Sequence, residues 1–181
     1  MLASSAAWEV LRSAEEICDE ASAKAAVLRM AAQITEQLLD CVPLVLSVMG
    51  GGVVVTGQIL PLLRFPLEFD YVHVTRYAGT TRGGELQWKT WPNRSMAGRV
   101  VLVLDDILDQ GHTLSAVRDR LLAEGASRCY LAVFADKKIG QAKPVQADFV
   151  GIEVPDRYVF GMGMDVEGAW RNLPAVYALP I

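Results

Sequence analysis

Nowhere in the sequence do apolar residues run for the roughly 20 positions that a membrane-crossing helix requires. The first sixteen residues, MLASSAAWEVLRSAEE, also lack the basic start and apolar centre of a secretion signal. A cytoplasmic protein with no membrane partner is therefore expected. Basic clusters are missing too: 17 Lys and Arg stand against 21 Asp and Glu, for a net charge of −4. Without a basic block there is no phosphate-reading face, and a nucleic-acid partner is not expected. Cysteine is sparse. Cys18, Cys41 and Cys129 are odd in number, far apart and without the CxxC or Cys/His spacing of a zinc site. They read as small core residues of a reducing compartment.

What the chain does have is apolar bulk. With 181 residues, 52% of them hydrophobic, it has the size of one domain, spanning 1–181, and can bury a core. Val27, Met30, Ala31, Ile34 and Leu38 recur at helical spacing, so residues 1–40 are expected to form helices, with a break near Asp19 to Ser22. LVLSVM (44–49) reads as a buried strand leading into Gly50-Gly51-Gly52 and a helix. LEFDYVHVTRY (67–77) reads as a strand with unequal faces, and the polar, Gly- and Thr-rich residues after it as a long functional loop, with a folded-over β-ribbon as one form. Strands at 100–104, 129–135 and 148–154, with a helix after the second glycine-bearing turn, complete an α/β pattern. Alternation of this kind predicts a mainly parallel twisted sheet flanked by helices.

The stretch VVLVLDDILDQGHTL (100–114) concentrates acids at the end of an apolar strand. In open α/β sheets, ligands bind outside the carboxyl ends of strands, where loops enter helices. Backbone amides of DQGHT (109–113) with a helix behind them make an anion site. Carboxylates beside such a cradle suit a ligand that also carries hydroxyls or a magnesium ion. A sugar phosphate satisfies both: amides take the phosphate, paired acids accept from hydroxyls, and a third acid is left for proton transfer. Solvated capping acids and an aspartate-dependent phosphatase are the other readings of these residues. The phosphatase needs acids in acid-x-acid spacing, whereas these are adjacent.

VLVLDDILDQGHTL resembles the phosphoribosyl-pyrophosphate signature of the type I phosphoribosyltransferases. DFVGIEVPDRYVFGMGMDVEGAWRNLP (148–174) is similar to the purine-binding end of the hypoxanthine-guanine branch, and LVLSVMGGG (44–52) to its pyrophosphate-loop strand. The resemblance implies the type I phosphoribosyltransferase fold, with a flexible lid loop at 76–98 and a purine-binding hood within 136–181. It implies purine salvage: transfer of a phosphoribosyl group from phosphoribosyl pyrophosphate to hypoxanthine or guanine, giving IMP or GMP and pyrophosphate. The cofactor implied is Mg²⁺, and the assembly a homodimer or homotetramer, with Trp91 or Trp170 as exposed surface to bury. A non-catalytic nucleotide-sensing protein on the same fold is the alternative.

Carried onto this sequence, the resemblance makes Asp109 the catalytic acid/base, near N7 of the purine. Asp105, Asp106, Asp109, Gln110, Gly111, His112 and Thr113 bind phosphoribosyl pyrophosphate, and Met49, Gly50, Gly51 and Arg171 its pyrophosphate. Lys137, Tyr158, Val159 and Asp165 hold the purine: Lys137 donates to the 6-oxo group and Tyr158 stacks. Asp105, Asp106 and Asp165 are the metal-side carboxylates, and Arg76 and Tyr77 the lid contacts. A cis peptide is expected at Val48–Met49. Three positions depart from the pattern: Met49 stands where many relatives have lysine, Gln110 where Thr is common and Asp105 where Glu is common. His112 occupies a variable position, and His73 reads as an ordinary strand residue.

Overall fold

The computed structural model describes residues 3–76 and 86–180. Helix α1 (Ser4–Ser13) is followed by a short strand β1 (Glu15–Cys18) and the long helix α2 (Glu20–Leu38). Next come β2 (Leu44–Met49), α3 (Gly52–Ile59), β3 (Glu68–Arg76), β4 (Leu86–Thr90) and β5 (Val100–Leu108). The chain continues through α4 (His112–Ala123), β6 (Arg128–Lys138), β7 (Phe149–Pro155), β8 (Val159–Phe160) and β9 (Val176–Ala178).

Six strands form one sheet in the order β4-β3-β2-β5-β6-β7, parallel except for the antiparallel edge strand β4. β5 is apolar on both of its faces, which is why it lies inside the sheet. Leu102 and Leu104 face one core with α2 and α3, while Val101 and Val103 face the other with α4, and all four are fully buried. On α2 the predicted stripe packs as expected, and the Asp19 side chain caps the helix by accepting from the Ser22 amide at 2.7 Å. Helix α3 is tied to β2 inside the core by Thr56 Oγ1 donating to Ser47 Oγ at 2.9 Å. β4 pairs back on β3, as a ribbon after the 67–77 strand would.

The break between the amino-terminal helices lies at residues 14–19, earlier than the expected Asp19 to Ser22 because Asp19 caps α2, and it holds a strand. β1 pairs with β9 and belongs, with β8, to a second, three-stranded antiparallel sheet at the end of the main one. This small sheet joins a strand of the amino-terminal segment to residues of the 136–181 stretch in which a hood is expected. Four residues, two of them Glu, carry no strand signal of their own. Their partner lies about 160 positions away, and Tyr177 Oη donates to Glu16 at 2.9 Å across the pair.

The tryptophans differ from expectation. Trp91 stacks edge-to-face on Trp88, lies under the Arg120 guanidinium and donates to Glu124 at 2.8 Å. Trp170 packs edge-to-face on Trp8 and donates from Nε1 to the Ala7 carbonyl at 2.9 Å. Both indoles are thus engaged within the chain, and Trp8 is the more exposed ring. The three cysteines are half-buried instead of core residues. Burial pushes the Cys129 thiol up to about 12, so it stays protonated.

Candidate active site

β5 runs on past residue 104 to Leu108, so Asp105 and Asp106 lie within the strand and not beyond it. The ladder to β6 continues through Asp105–Val133, Ile107–Ala135 and Leu108–Asp136, which keeps the backbone extended. Both acids are buried. Each carboxylate turns back on the chain: Asp105 Oδ1 accepts from the Asp106 amide at 2.9 Å, and Asp106 Oδ1 from the Ile107 amide at 2.8 Å. Burial, and then the neighbouring charge of Asp106, holds the Asp105 carboxyl well above the usual carboxylate range. Burial also raises Asp106, against the lowering effect of the Asp105 hydrogen bond and the Arg171 charge.

Above the acids, Gly50-Gly51-Gly52 carries β2 into α3. A Cβ on Gly51 would lie 1.8 Å from Asp106 Oδ2, so no side chain fits there. Gly163, at φ +105, presses on the same turn, and a Cβ there would sit 2.2 Å from the Gly51 carbonyl oxygen. Arg171 fastens this contact: it donates to the Gly163 carbonyl at 2.7 Å, pairs with Asp165 and stands 3.8 Å from Asp106. The cis peptide is Met49–Gly50, one bond later than expected. Met49 still pairs with His73 in the β2–β3 ladder, so the strand runs extended through Val48 and Met49 and the cis bond falls where it ends.

A cleft of about 490 Å³ opens over these groups. Its floor is Asp105 and Asp106, and its far wall is the 109–111 turn with Thr113. Gly111 caps α4 at φ +81, which frees the first-turn amides of that helix for an anion. Gln110 lines the cleft and is exposed. His112 does not line it: the residue opens α4 on the solvent side, and only its backbone belongs to the turn. The cleft also takes His73 and Thr75, which the sequence reading passed over. Their position near the carboxyl end of a parallel strand is the signal that would have found them.

A second pocket of about 190 Å³ adjoins the first and shares Asp106, Ile107 and Asp109 with it. Lys137, Tyr158, Val159 and Asp165 all line it, with Met164, which the sequence did not single out. Lys137 Nζ lies 3.3 Å from Asp109 Oδ1. Tyr158 is half exposed, and its hydroxyl is raised by burial and by Asp165. Asp165 is occupied, accepting from the Gly168 amide at 2.6 Å as well as pairing with Arg171. Arg76 ends β3, while Tyr77 lies outside the described residues.

Residues 13–167 match the family model described as the phosphoribosyl transferase domain. The chain belongs to this family. Over 172 residues it is 32% identical to a hypoxanthine-guanine phosphoribosyltransferase of Bacillus subtilis, covering 94% of this chain and 92% of that protein. Over 151 residues it is 33% identical to a hypoxanthine-guanine-xanthine phosphoribosyltransferase of Tritrichomonas foetus, covering 83% and 82%. Its fold superposes on a hypoxanthine phosphoribosyltransferase of Staphylococcus aureus with a TM-score of 0.87 at 24% identity, over 94% of each chain. The type I phosphoribosyltransferase fold is thereby established.

Among the described residues no three ligand-type side chains converge into a metal cage, and Asp165 is committed to Arg171 and Gly168. What this phosphoribosyltransferase chain offers a hard cation is the buried pair Asp105 and Asp106. A pair of that kind fits Mg²⁺, which keeps waters and substrate oxygens and needs only one or two carboxylates.

Proposed function

We propose that the chain salvages purines, transferring the phosphoribosyl group of phosphoribosyl pyrophosphate to hypoxanthine or guanine and releasing pyrophosphate. The observation that carries this reading is the pair of adjoining pockets that meet at Asp109. The larger has an acid floor and a helix amino terminus, suited to a phosphorylated sugar. The smaller has a flat aromatic wall and a lysine, suited to an oxo-substituted ring. Similarity to the Bacillus and Tritrichomonas enzymes supports the same reading.

In this scheme the amides of 109–113 and the Thr113 hydroxyl hold the 5′-phosphate, and Asp105 and Asp106 accept from the ribose hydroxyls. The turn at Met49, Gly50 and Gly51, with Arg171, binds the pyrophosphate end. Met49 adds no cation, so backbone amides and Arg171, which suits bidentate phosphate contact, carry that role. Tyr158 stacks on the base and the Val159 backbone reads its edge. Lys137 donates to the 6-oxo oxygen, while Asp109 takes the N7 proton as the base attacks the anomeric carbon. The bond to pyrophosphate breaks as the bond to the purine nitrogen forms. Mg²⁺, held by Asp105 and Asp106, would neutralise charge on the departing pyrophosphate. Arg76 and Tyr77 belong to a lid that keeps water from the activated ribose.

The same reading takes 1–181 as one domain, working in the cytoplasm as a homodimer or homotetramer, which light scattering tests. No helix among the described residues is long and apolar enough to cross a membrane. The activity is tested with magnesium, phosphoribosyl pyrophosphate and each of hypoxanthine, guanine, xanthine and adenine. Nucleotide from the 6-oxopurines is expected. Adenine should be poor, because Lys137 would face a 6-amino donor with a donor of its own. Equal turnover of adenine and hypoxanthine would remove that role from Lys137.

A further inference from the structure

A second lysine, Lys143, stands behind the pair that Lys137 makes with Asp109. It sits on the connection between β6 and β7, with only 10% of its side chain exposed. Its ammonium donates to the Leu108 carbonyl at 2.6 Å and to Asp136 Oδ1 at 2.6 Å. Leu108 immediately precedes Asp109, Asp136 immediately precedes Lys137, and the two are register partners at the ends of β5 and β6. One buried cation therefore bonds to the residue before each member of the site pair.

The surroundings tighten this arrangement. Asp136 also accepts from Lys138 at 3.0 Å, and Lys138 pairs with Glu153 on β7 at 2.8 Å. Burial alone would raise the Asp136 carboxyl, but the hydrogen bonds from Lys143 and Lys138 outweigh it and hold the group below the usual range. The next two residues, Pro144 and Val145, back the phosphate turn: a Cβ on Gly111 would meet both side chains at 3.3 Å. Taking an ammonium and a carboxylate out of water costs free energy that their attraction often fails to return. Conformational definition is one use to which such a pair is put.

We infer that Lys143 is a positioning residue, which sets the spacing between Asp109 and Lys137 and so the grip on the purine. The inference rests on the purine-transfer reading above. Ribose contacts depend on Asp105 and Asp106, and the Gly111 turn of the phosphate cradle has apolar packing of its own on Pro144 and Val145. The consequence of losing the Lys143 ammonium should fall on the base.

The test is steady-state kinetics of Lys143→Met and Lys143→Arg beside the wild type, varying hypoxanthine and phosphoribosyl pyrophosphate separately. Lys143→Met should raise KM for hypoxanthine about tenfold and leave KM for phosphoribosyl pyrophosphate within about twofold, and Lys143→Arg should recover much of the loss. Asp136→Asn, which keeps the bond to Leu108, should shift the same constant in the same direction by less. This variant also covers a Lys143→Met protein that does not fold. Both constants moving together, without rescue by arginine, would mark a merely structural lysine and overturn the inference, as would an unchanged KM for hypoxanthine. Wild-type protein without turnover of any 6-oxopurine would remove the purine-transfer reading and this inference with it.

Discussion

Lys137 and Asp109 face each other at 3.3 Å across the mouth of the smaller pocket, one from the end of β6 and the other from the turn after β5. In the proposed reaction they serve opposite needs of one ligand: the lysine donates to an oxygen of the purine and the aspartate accepts from a ring nitrogen. Their closeness sets the separation of the two purine atoms they read.

Asp109→Asn keeps the shape and removes the proton acceptor. Turnover should fall by about 10²–10⁴, the usual range for a general base, while KM for phosphoribosyl pyrophosphate changes by no more than a few-fold. Turnover within a few-fold of wild type would take the base role away from Asp109.

Gly51→Ala puts a methyl group where Asp106 Oδ2 lies, 1.8 Å from the added carbon. Either the turn or the buried Asp106 carboxylate, held by the Ile107 amide, must move, and overpacking of this kind costs about 1–3 kcal/mol. Thermal unfolding should show the loss, and pyrophosphorolysis of IMP should show a raised KM for pyrophosphate. An unaltered protein would mean that the turn or the Asp106 carboxylate yields without cost.

Tyr158→Ala should weaken base binding by the worth of one stacked ring, about 1–3 kcal/mol. Tyr158→Phe keeps the ring and should bind nearly as the wild type does. Calorimetry with IMP separates the two, and equal affinity in all three proteins would exclude stacking.

Asp105→Asn should stabilise the ligand-free protein at neutral pH while abolishing turnover. The folded-state pKa of Asp105 is raised, so an unfolded chain releases this proton above about pH 3.9 while the folded chain still holds it. Stability therefore falls as pH rises from there through the folded pKa, a loss that asparagine does not suffer. Melting curves with chelator present should show the variant a few degrees higher at pH 7, at about 2–4 °C per kcal/mol for a chain of this size. The gap should close below about pH 4. A variant melting lower at pH 7 would contradict the burial argument.

The acid loop was legible in the sequence because its signals are local: an apolar strand, adjacent acids, a glycine at the helix cap. The Gly50-Gly51-Gly52 turn was legible for the same reason. The end of β5 was not. Asp105 and Asp106 look like loop residues, yet the ladder to β6 holds them in the strand. Lys137, Tyr158 and Asp165, which line the smaller pocket, are legible only through the resemblance of a long stretch, since nothing in their own neighbours separates them from surface or core residues. Pairings across the whole chain escaped notice. β1 with β9, Trp170 with Ala7, and Lys143 with Leu108 depend on partners that only tertiary structure brings together. His73 reads as an ordinary strand residue by its alternation, and only its place near the carboxyl end of β3 brings it to the cleft.

The four tryptophans fall into two edge-to-face pairs, Trp88 with Trp91 and Trp8 with Trp170. The first pair belongs to β4 and the residue just after it, under Arg120 of α4, and the second shares a surface pocket with Arg171. The chain thus carries one intrinsic fluorophore on the edge of the main sheet and a second beside Arg171. Replacing one pair with phenylalanine leaves the emission of the other as a label-free optical record of its own surroundings during a single turnover.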